Sequence, residues 1–300
     1  MTSDIKIPNR FQTWWLAIRP RTLPAAAAGV ITGSALALHD QAFRLLPALA
    51  ALLAALLLQA GSNLANDVFD FERGADDERR HGPLRVTQAG LLTPVQVKRG
   101  MWIVFGLAGL LGLYLAWEAG WVVIALGLAA ILSAIAYTGG PYPLGYYGLG
   151  DLFVFLFFGV ASVAGTYFVQ SGKVSPAAWG MAVPIGLIIV GILVVNNLRD
   201  IETDRLAGKH TLAVSLGEGF AKGEYLACLL VAFFCMPVFC LFRLLPWGAL
   251  LTWAGLPLAW KVSRKVFNQK GKALNSVLAG TGQLALVFSV LFLVGLLLAG

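Results

Sequence analysis

Leu45-Leu-Pro-Ala-Leu-Ala-Ala-Leu-Leu-Ala-Ala-Leu-Leu-Leu-Gln-Ala-Gly-Ser-Asn63-Leu-Ala-Asn66 carries no charged side chain, and it runs straight into Asp67-Val-Phe-Asp70-Phe-Glu-Arg73-Gly74-Ala-Asp76-Asp77. An apolar run of about 20 residues, rising about 1.5 Å each, crosses the roughly 30 Å hydrocarbon core of a bilayer. No water reaches the backbone there, so such a run closes its own hydrogen bonds as a helix. The abrupt passage from apolar to acidic places Asp67 and Asp70 at a membrane surface.

The pattern recurs along the chain. Apolar stretches fall at about 22–38, 45–66, 101–117, 121–137, 151–169, 178–198, 225–242, 246–260 and 276–299. Of 300 residues, 58% are hydrophobic and 12% charged, with a mean hydropathy of +0.78. A soluble domain carries about 25% charged residues. The expected fold is an all-α integral membrane bundle of about nine transmembrane helices, forming one domain over residues 1–300. Gly29, Gly33, Gly106, Gly109 and Gly112 are expected to let neighbouring helices approach closely. The polar N-terminus, Met1 to Arg21, has no signal-peptide h-region, and the first apolar stretch is expected to be retained.

The net charge of +7 has its own pattern. With the N-terminus inside, nineteen Lys and Arg lie in inner segments, and only Arg44, Lys173 and Arg243 lie in outer ones. Such an asymmetry is the positive-inside signal, and it fits an odd number of spans. Localisation follows as a multi-pass protein of the bacterial inner (cytoplasmic) membrane with a cytoplasmic N-terminus. No stacking aromatics interleave with a basic face, so the partners are expected to include the lipid bilayer and no nucleic acid. Cys228, Cys235 and Cys240 share one apolar stretch without a Cys-x-x-Cys pair, which speaks against a disulfide framework or a zinc site.

Two acidic motifs carry the candidate chemistry. Asp67 and Asp70 are three apart and share a helix face, with Asn63 one turn earlier and Asn66 adjacent. Gly74 is expected to end that helix and let Asp76 fold back toward the same pocket. In the second motif, Asn196-Asn197-Leu-Arg199-Asp200-Ile-Glu202-Thr-Asp204-Arg205, Asp200 and Asp204 are four apart, and Glu202 points elsewhere. Nine of the 15 acidic residues fall in 67–78 and 200–204, too concentrated to serve solubility alone. Oxygen-only donors without His or Cys suit Mg²⁺, which is held by one or two carboxylates together with substrate phosphates. Asp67, Asp70, Asp76, Asp200 and Asp204 are therefore the candidate catalytic and metal-binding residues. Basic neighbours Arg73, Arg79, Arg80 and Arg85 with the first motif, and Arg199, Arg205 and Lys209 with the second, are suited to neutralise the remaining oxygens of a diphosphate.

A third inner segment, Tyr137-Thr-Gly-Gly-Pro-Tyr142-Pro-Leu-Gly-Tyr146-Tyr147-Gly-Leu-Gly-Asp151, has no basic residue. Its four tyrosines either line an aromatic acceptor site and shield a carbocation, or form an interfacial aromatic belt.

The paired Asn-Asp-x-x-Asp and Asp-x-x-x-Asp motifs resemble those of UbiA-type intramembrane prenyltransferases. Four stretches resemble the naphthoate-prenylating branch of that family: Arg19-Pro-Arg-Thr-Leu-Pro24, Gly82-Pro-Leu-Arg85, the Tyr137–Asp151 loop, and Asn196–Arg205 with Gly208-Lys-His-Thr-Leu212. Two positions depart from the wider family. Gly74 stands where many members carry a third aspartate, the acid coming later as Asp76, which resembles the naphthoate branch. Ser215 stands where an arginine is expected. The resemblance implies helices around a central cavity, closed on the inner side by caps formed from the acidic loops. It implies transfer of a polyprenyl chain from polyprenyl diphosphate to dihydroxynaphthoate, with loss of diphosphate and carbon dioxide, to give demethylmenaquinone. Tyr137 and Asn197 would then contact substrate, and Arg19 would pair with the acceptor carboxylate. Alternatives are a 4-hydroxybenzoate or phytyl transferase of the same family, or, in another class, a cation transporter.

Overall fold

A computed structural model describes residues 8–74 and 82–299. Every regular element among the described residues is helical: α1 (Arg10–Ile18), α2 (Leu23–His39), α3 (Leu45–Glu72), α4 (Pro94–Ala119), α5 (Val122–Ala136), α6 (Gly150–Val154), α7 (Gly165–Ser171), α8 (Pro176–Arg199), α9 (Ile201–Leu206), α10 (Leu212–Leu241), α11 (Leu256–Asn268) and α12 (Asn275–Ala299). A π-helical stretch, Phe155–Ala164, joins α6 to α7 into one helix, and a 3₁₀ segment, Trp247–Gly255, leads into α11.

Local chemistry sets the starts. Thr93 caps α4 through the Gln96 N–H, Gln96 returns the bond, and Pro94 occupies the first turn, where its missing N–H costs nothing. Ser175 and Pro176 start α8 in the same way, and Thr211 caps α10.

Among the described residues, seven helices are long and apolar enough to cross a membrane: Arg10–His39, Leu45–Glu72, Pro94–Ala119, Gly150–Ser171, Pro176–Arg199, Leu212–Leu241 and Gly271–Ala299. The other two expected spans meet shorter elements. Val122–Ala136 has 15 residues, and 246–260 falls on the 3₁₀ segment and the start of α11. Length and composition thus match seven of the nine expected spans among the described residues, and the other two fall on these shorter apolar elements. The helices also overrun the apolar stretches. α3 continues through its acidic motif to Glu72, and Gly74, at φ 69°, ends it as expected.

Two packed groups flank a central space. One is built on α8, with Ile185, Ile188 and Val195 fully buried against α10 and α12. Thr32 of α2 bonds Ser289 of α12 at 3.0 Å, and Tyr225 of α10 meets Thr281 of α12 at 2.9 Å. The other group joins Leu64 and Val68 of α3 to Val97, Met101 and Phe105 of α4, with Val86 from the intervening loop. Gly29 and Gly33 behave as expected: a Cβ at either would overlap the 162–167 segment. Gly106, Gly109 and Gly112 do not. A Cβ there would meet nothing, and all three line the central space.

Candidate active site

The space between the two groups is a cavity of about 840 Å³. Along α3 its lining extends from Ala51 to Asp70, about 28 Å at 1.5 Å per residue. Most of that wall is apolar, including Leu58, Ala108, Leu115, Val123, Phe157 and Ile189. The polar groups gather where α3 ends and α8 gives way to α9: Asp70, Arg85, Tyr137, Tyr146, Arg199, Asp200, Asp204 and Lys209.

The two acidic motifs meet there. Lys209 Nζ lies 3.3 Å from Asp204 Oδ1 and 3.8 Å from Asp70 Oδ1. Chain geometry makes this possible. α9 stops at Leu206, Gly208 turns at φ 69°, and the Lys209 N–H donates to the Asp204 carbonyl at 2.9 Å. The lysine side chain is thus folded back over the helix it follows. Arg205, which was expected to act beside Lys209, instead points outward to Glu202 at 3.3 Å, with 55% of its side chain exposed. The short α9 puts positions 202 and 205 on one face and leaves Asp204 on the other, so Arg205 leaves the candidate site.

Asp70 is the most heavily contacted carboxylate. Arg85 Nη2 donates to Oδ2 at 2.6 Å and Tyr146 Oη donates to Oδ1 at 3.1 Å. Arg85 also donates to the Asn66 carbonyl. Asp67 departs from the expectation of a shared face. Its oxygens accept the backbone N–H groups of Val86 and Thr87, both at 3.1 Å, and it does not line the cavity. At about 100° per residue, Gln59, Asn63, Asn66 and Asp70 fall within an arc of roughly 60° that faces the cavity. Asp67 lies about 40° beyond Asn63, toward the 82–87 segment. Arg19, held at φ 51° between α1 and the following turn, lines the cavity with its Nη2 3.9 Å from Asp67 Oδ2.

In the second motif the helix breaks at Asp200 (φ −104°, ψ 12°), and both Asp200 and Asp204 reach the cavity. Arg199, expected among the basic neighbours of this motif, is buried and joins three groups: Asp200, Asn196 and, through Nη1 at 2.8 Å, Asn275 of α12. Asn197 and Asn63 line the cavity as expected, Asn63 donating to Thr22 Oγ1 at 2.9 Å. Asp76, Arg79 and Arg80 lie outside the described residues.

The tyrosine loop divides between its two readings. Tyr137 and Tyr146 line the cavity, whereas Tyr142 and Tyr147 are exposed and pack on each other at 6.4 Å between ring centroids. Arg73 Nε holds the loop through the Thr138 carbonyl at 2.9 Å, and Thr138 Oγ1 donates to Asn66 Oδ1 at 3.0 Å. The Tyr146 ring carries Lys209 Nζ 4.8 Å from its centroid. Burial, reinforced by Asp70, holds the Tyr146 phenol well above its usual range, so it stays protonated.

Burial dominates the electrostatics at the cavity end. Burial pushes the Asp204 carboxyl up to about 6, against the downward pull of Lys209. Asp200 and Asp70 push it the same way. Among the described residues, no three His, Cys, Asp or Glu side chains group closely enough to hold an ion alone. That suits a cation taking one or two carboxylates plus water and substrate oxygens, as Mg²⁺ does. A buried donor set of carboxylate oxygens without His or Cys fits such an ion. Arginine, lysine and tyrosine donors around it fit a polyanion.

The model of the UbiA prenyltransferase family matches residues 26–286. The chain is 42% identical over 302 residues to 1,4-dihydroxy-2-naphthoate octaprenyltransferase of Escherichia coli K12, covering 97% of both chains. It is 38% identical to the protein of the same name from Haemophilus influenzae, covering 99% of this chain and 100% of the relative. Among solved structures, a UbiA homolog from Archaeoglobus fulgidus bound to GPP and Mg²⁺ superposes with a TM-score of 0.68 at 14% identity, covering 95% of this chain and 99% of that one.

Proposed function

The chain belongs to the UbiA prenyltransferase family, and we propose that it transfers a polyprenyl chain from polyprenyl diphosphate to 1,4-dihydroxy-2-naphthoate, on the route to demethylmenaquinone. The observation that carries this reading is one cavity with two characters. The cavity runs about 28 Å along α3, and its apolar stretch suits an isoprenoid chain while its polar end suits the diphosphate.

In this reading the allylic carbon–oxygen bond breaks at the polar end, and the diphosphate departs with the bonding pair. Mg²⁺, when bound, supplies Lewis-acid stabilisation of that leaving charge. Asp70, Asp200 and Asp204 are the carboxylates placed to hold it, with Asp76 assigned on its sequence position alone. Lys209 and Arg85 hold the phosphate oxygens, joined by Arg79 and Arg80 on the same sequence basis. Asp67 holds the 82–87 segment, and thereby Arg85, in place. Tyr146 and Tyr137 present ring faces to the allylic cation, and the apolar wall keeps water from it. The ring then forms the new carbon–carbon bond, and release of carbon dioxide restores aromaticity. Arg19 pairs with the acceptor carboxylate beside Asn63 and Asn66. The protein acts as a single domain in the bacterial inner membrane, with its acidic end cytoplasmic, as the charge asymmetry requires.

The test is transfer from a labelled polyprenyl diphosphate by purified protein in lipid nanodiscs, with 1,4-dihydroxy-2-naphthoate or 4-hydroxybenzoate as acceptor. We expect product only with the naphthoate, release of carbon dioxide, loss of turnover in excess chelator, and recovery with Mg²⁺. Equal use of 4-hydroxybenzoate, or full activity in chelator, would overturn the reading.

A further inference from the structure

We infer that the outer face of α11 is a binding site for the headgroup of an anionic phospholipid, separate from the catalytic cavity. α11 reads Leu-Pro-Leu-Ala-Trp260-Lys261-Val-Ser-Arg264-Lys265-Val-Phe-Asn268. Ala259, Val262, Ser263 and Val266 are buried and fasten it to the bundle. Trp260, Arg264, Asn268, Lys261 and Lys265 span an arc of about 140° centred opposite that buried face. With Gln269 they surround a surface cleft of about 390 Å³.

The charge in this cleft has no internal answer. Glu224 is the last acidic residue of the chain, so residues 225–300 contain six Lys and Arg and no Asp or Glu. The nearby carboxylate, Glu218, is already taken by Lys222 at 2.7 Å and Lys270 at 2.9 Å. No ion pair among the described residues involves Lys261, Arg264 or Lys265. The inner-loop excess explains why this end of the bundle is basic, but not why three cations converge on one helix face beside a tryptophan that is 69% exposed. Arg and Lys pair with a phosphodiester, and Asn268 and Gln269 offer amide donors to glycerol or headgroup oxygens. Trp260 suits the boundary where acyl chains begin.

The proposal is tested by native mass spectrometry of the full chain, released from nanodiscs containing equal phosphatidylglycerol and phosphatidylcholine. The expected result is retention of one phosphatidylglycerol per chain with a preference of about tenfold. The triple variant Lys261→Gln/Arg264→Gln/Lys265→Gln should lose that preference. Lys270→Gln/Lys272→Gln, which removes neighbouring charge outside the cleft, should keep it. Prenyl transfer in neutral detergent should be the same in all three proteins, which separates this site from the catalytic one and shows that the variants are folded. Equal retention of both lipids by the unsubstituted protein, or an undiminished preference in the triple variant, would sink the proposal. So would displacement of the lipid by millimolar inorganic phosphate, which would mark a free-anion site.

Discussion

The two acidic motifs have almost the same spelling and different geometry. The first lies on one unbroken helix, α3, where three residues of separation turn the side chains by about 60°. Asp70 looks into the cavity and Asp67 looks away to the backbone of Val86 and Thr87. The second straddles a break. α8 ends at Asp200 and α9 restarts immediately, so Asp200 and Asp204 both line the cavity. One motif therefore divides its carboxylates between the cavity and the backbone of the following loop, and the other turns both to the cavity.

The sharpest test of this division is removal of a cavity carboxylate. Asp70→Asn and Asp204→Asn should each lower kcat by roughly 100-fold or more, the scale lost when a group stabilising transition-state charge is removed. Asp204→Asn should keep its thermal unfolding temperature within a few degrees, whereas Asp70→Asn, which leaves Arg85 buried beside a neutral partner, should also melt lower. Single-turnover transfer assays alongside melting curves in one detergent would decide it.

Asp67→Asn should show the opposite profile to Asp204→Asn. It leaves at least one buried backbone N–H poorly partnered, which costs about 1–3 kcal/mol. We expect a clear fall in melting temperature, with a loss of turnover at least tenfold smaller than for Asp70→Asn. If instead the melt is unchanged and turnover vanishes, Asp67 belongs with the metal-holding groups and the contrast between the motifs fails.

The smallest effects concern the residues around the motifs. Tyr146→Phe removes the 3.1 Å hydrogen bond to Asp70 and should reduce kcat about fivefold, since such a bond contributes about 1 kcal/mol. Tyr147→Phe, on an exposed ring, and Arg205→Gln, on an exposed ion pair, should stay within about twofold of the unsubstituted protein. A large loss in either would pull that residue back into the site.

Membrane character, helical class and the two acidic centres were legible in residue order, because each rests on local properties. A run of apolar residues in lipid has to be helical, and carboxylates at the end of such a run stand near the surface. The order of residues also separated Glu202 from Asp200 and Asp204 correctly. It did not separate Tyr137 and Tyr146 from Tyr142 and Tyr147, since all four lie in a loop without a repeating geometry. Nor did it reveal that Gly106, Gly109 and Gly112 face open space. A glycine that admits a neighbouring helix and one that leaves room for a ligand look alike until the neighbours are placed.

What the amino-acid order determined by itself, then, was the medium, the helices, and where carboxylates and cations are concentrated, through hydropathy and short-range spacing. What only the tertiary structure decided was which of those groups face one another. Asp70 and Asp204, more than 130 positions apart in the chain, converge on the ammonium of Lys209. Asp67 and Arg205 turn away, although each is within three residues of a partner that stays. Helix rotation, the break at Asp200 and the reversal at Gly208 set those directions, and each depends on packing against elements distant in sequence.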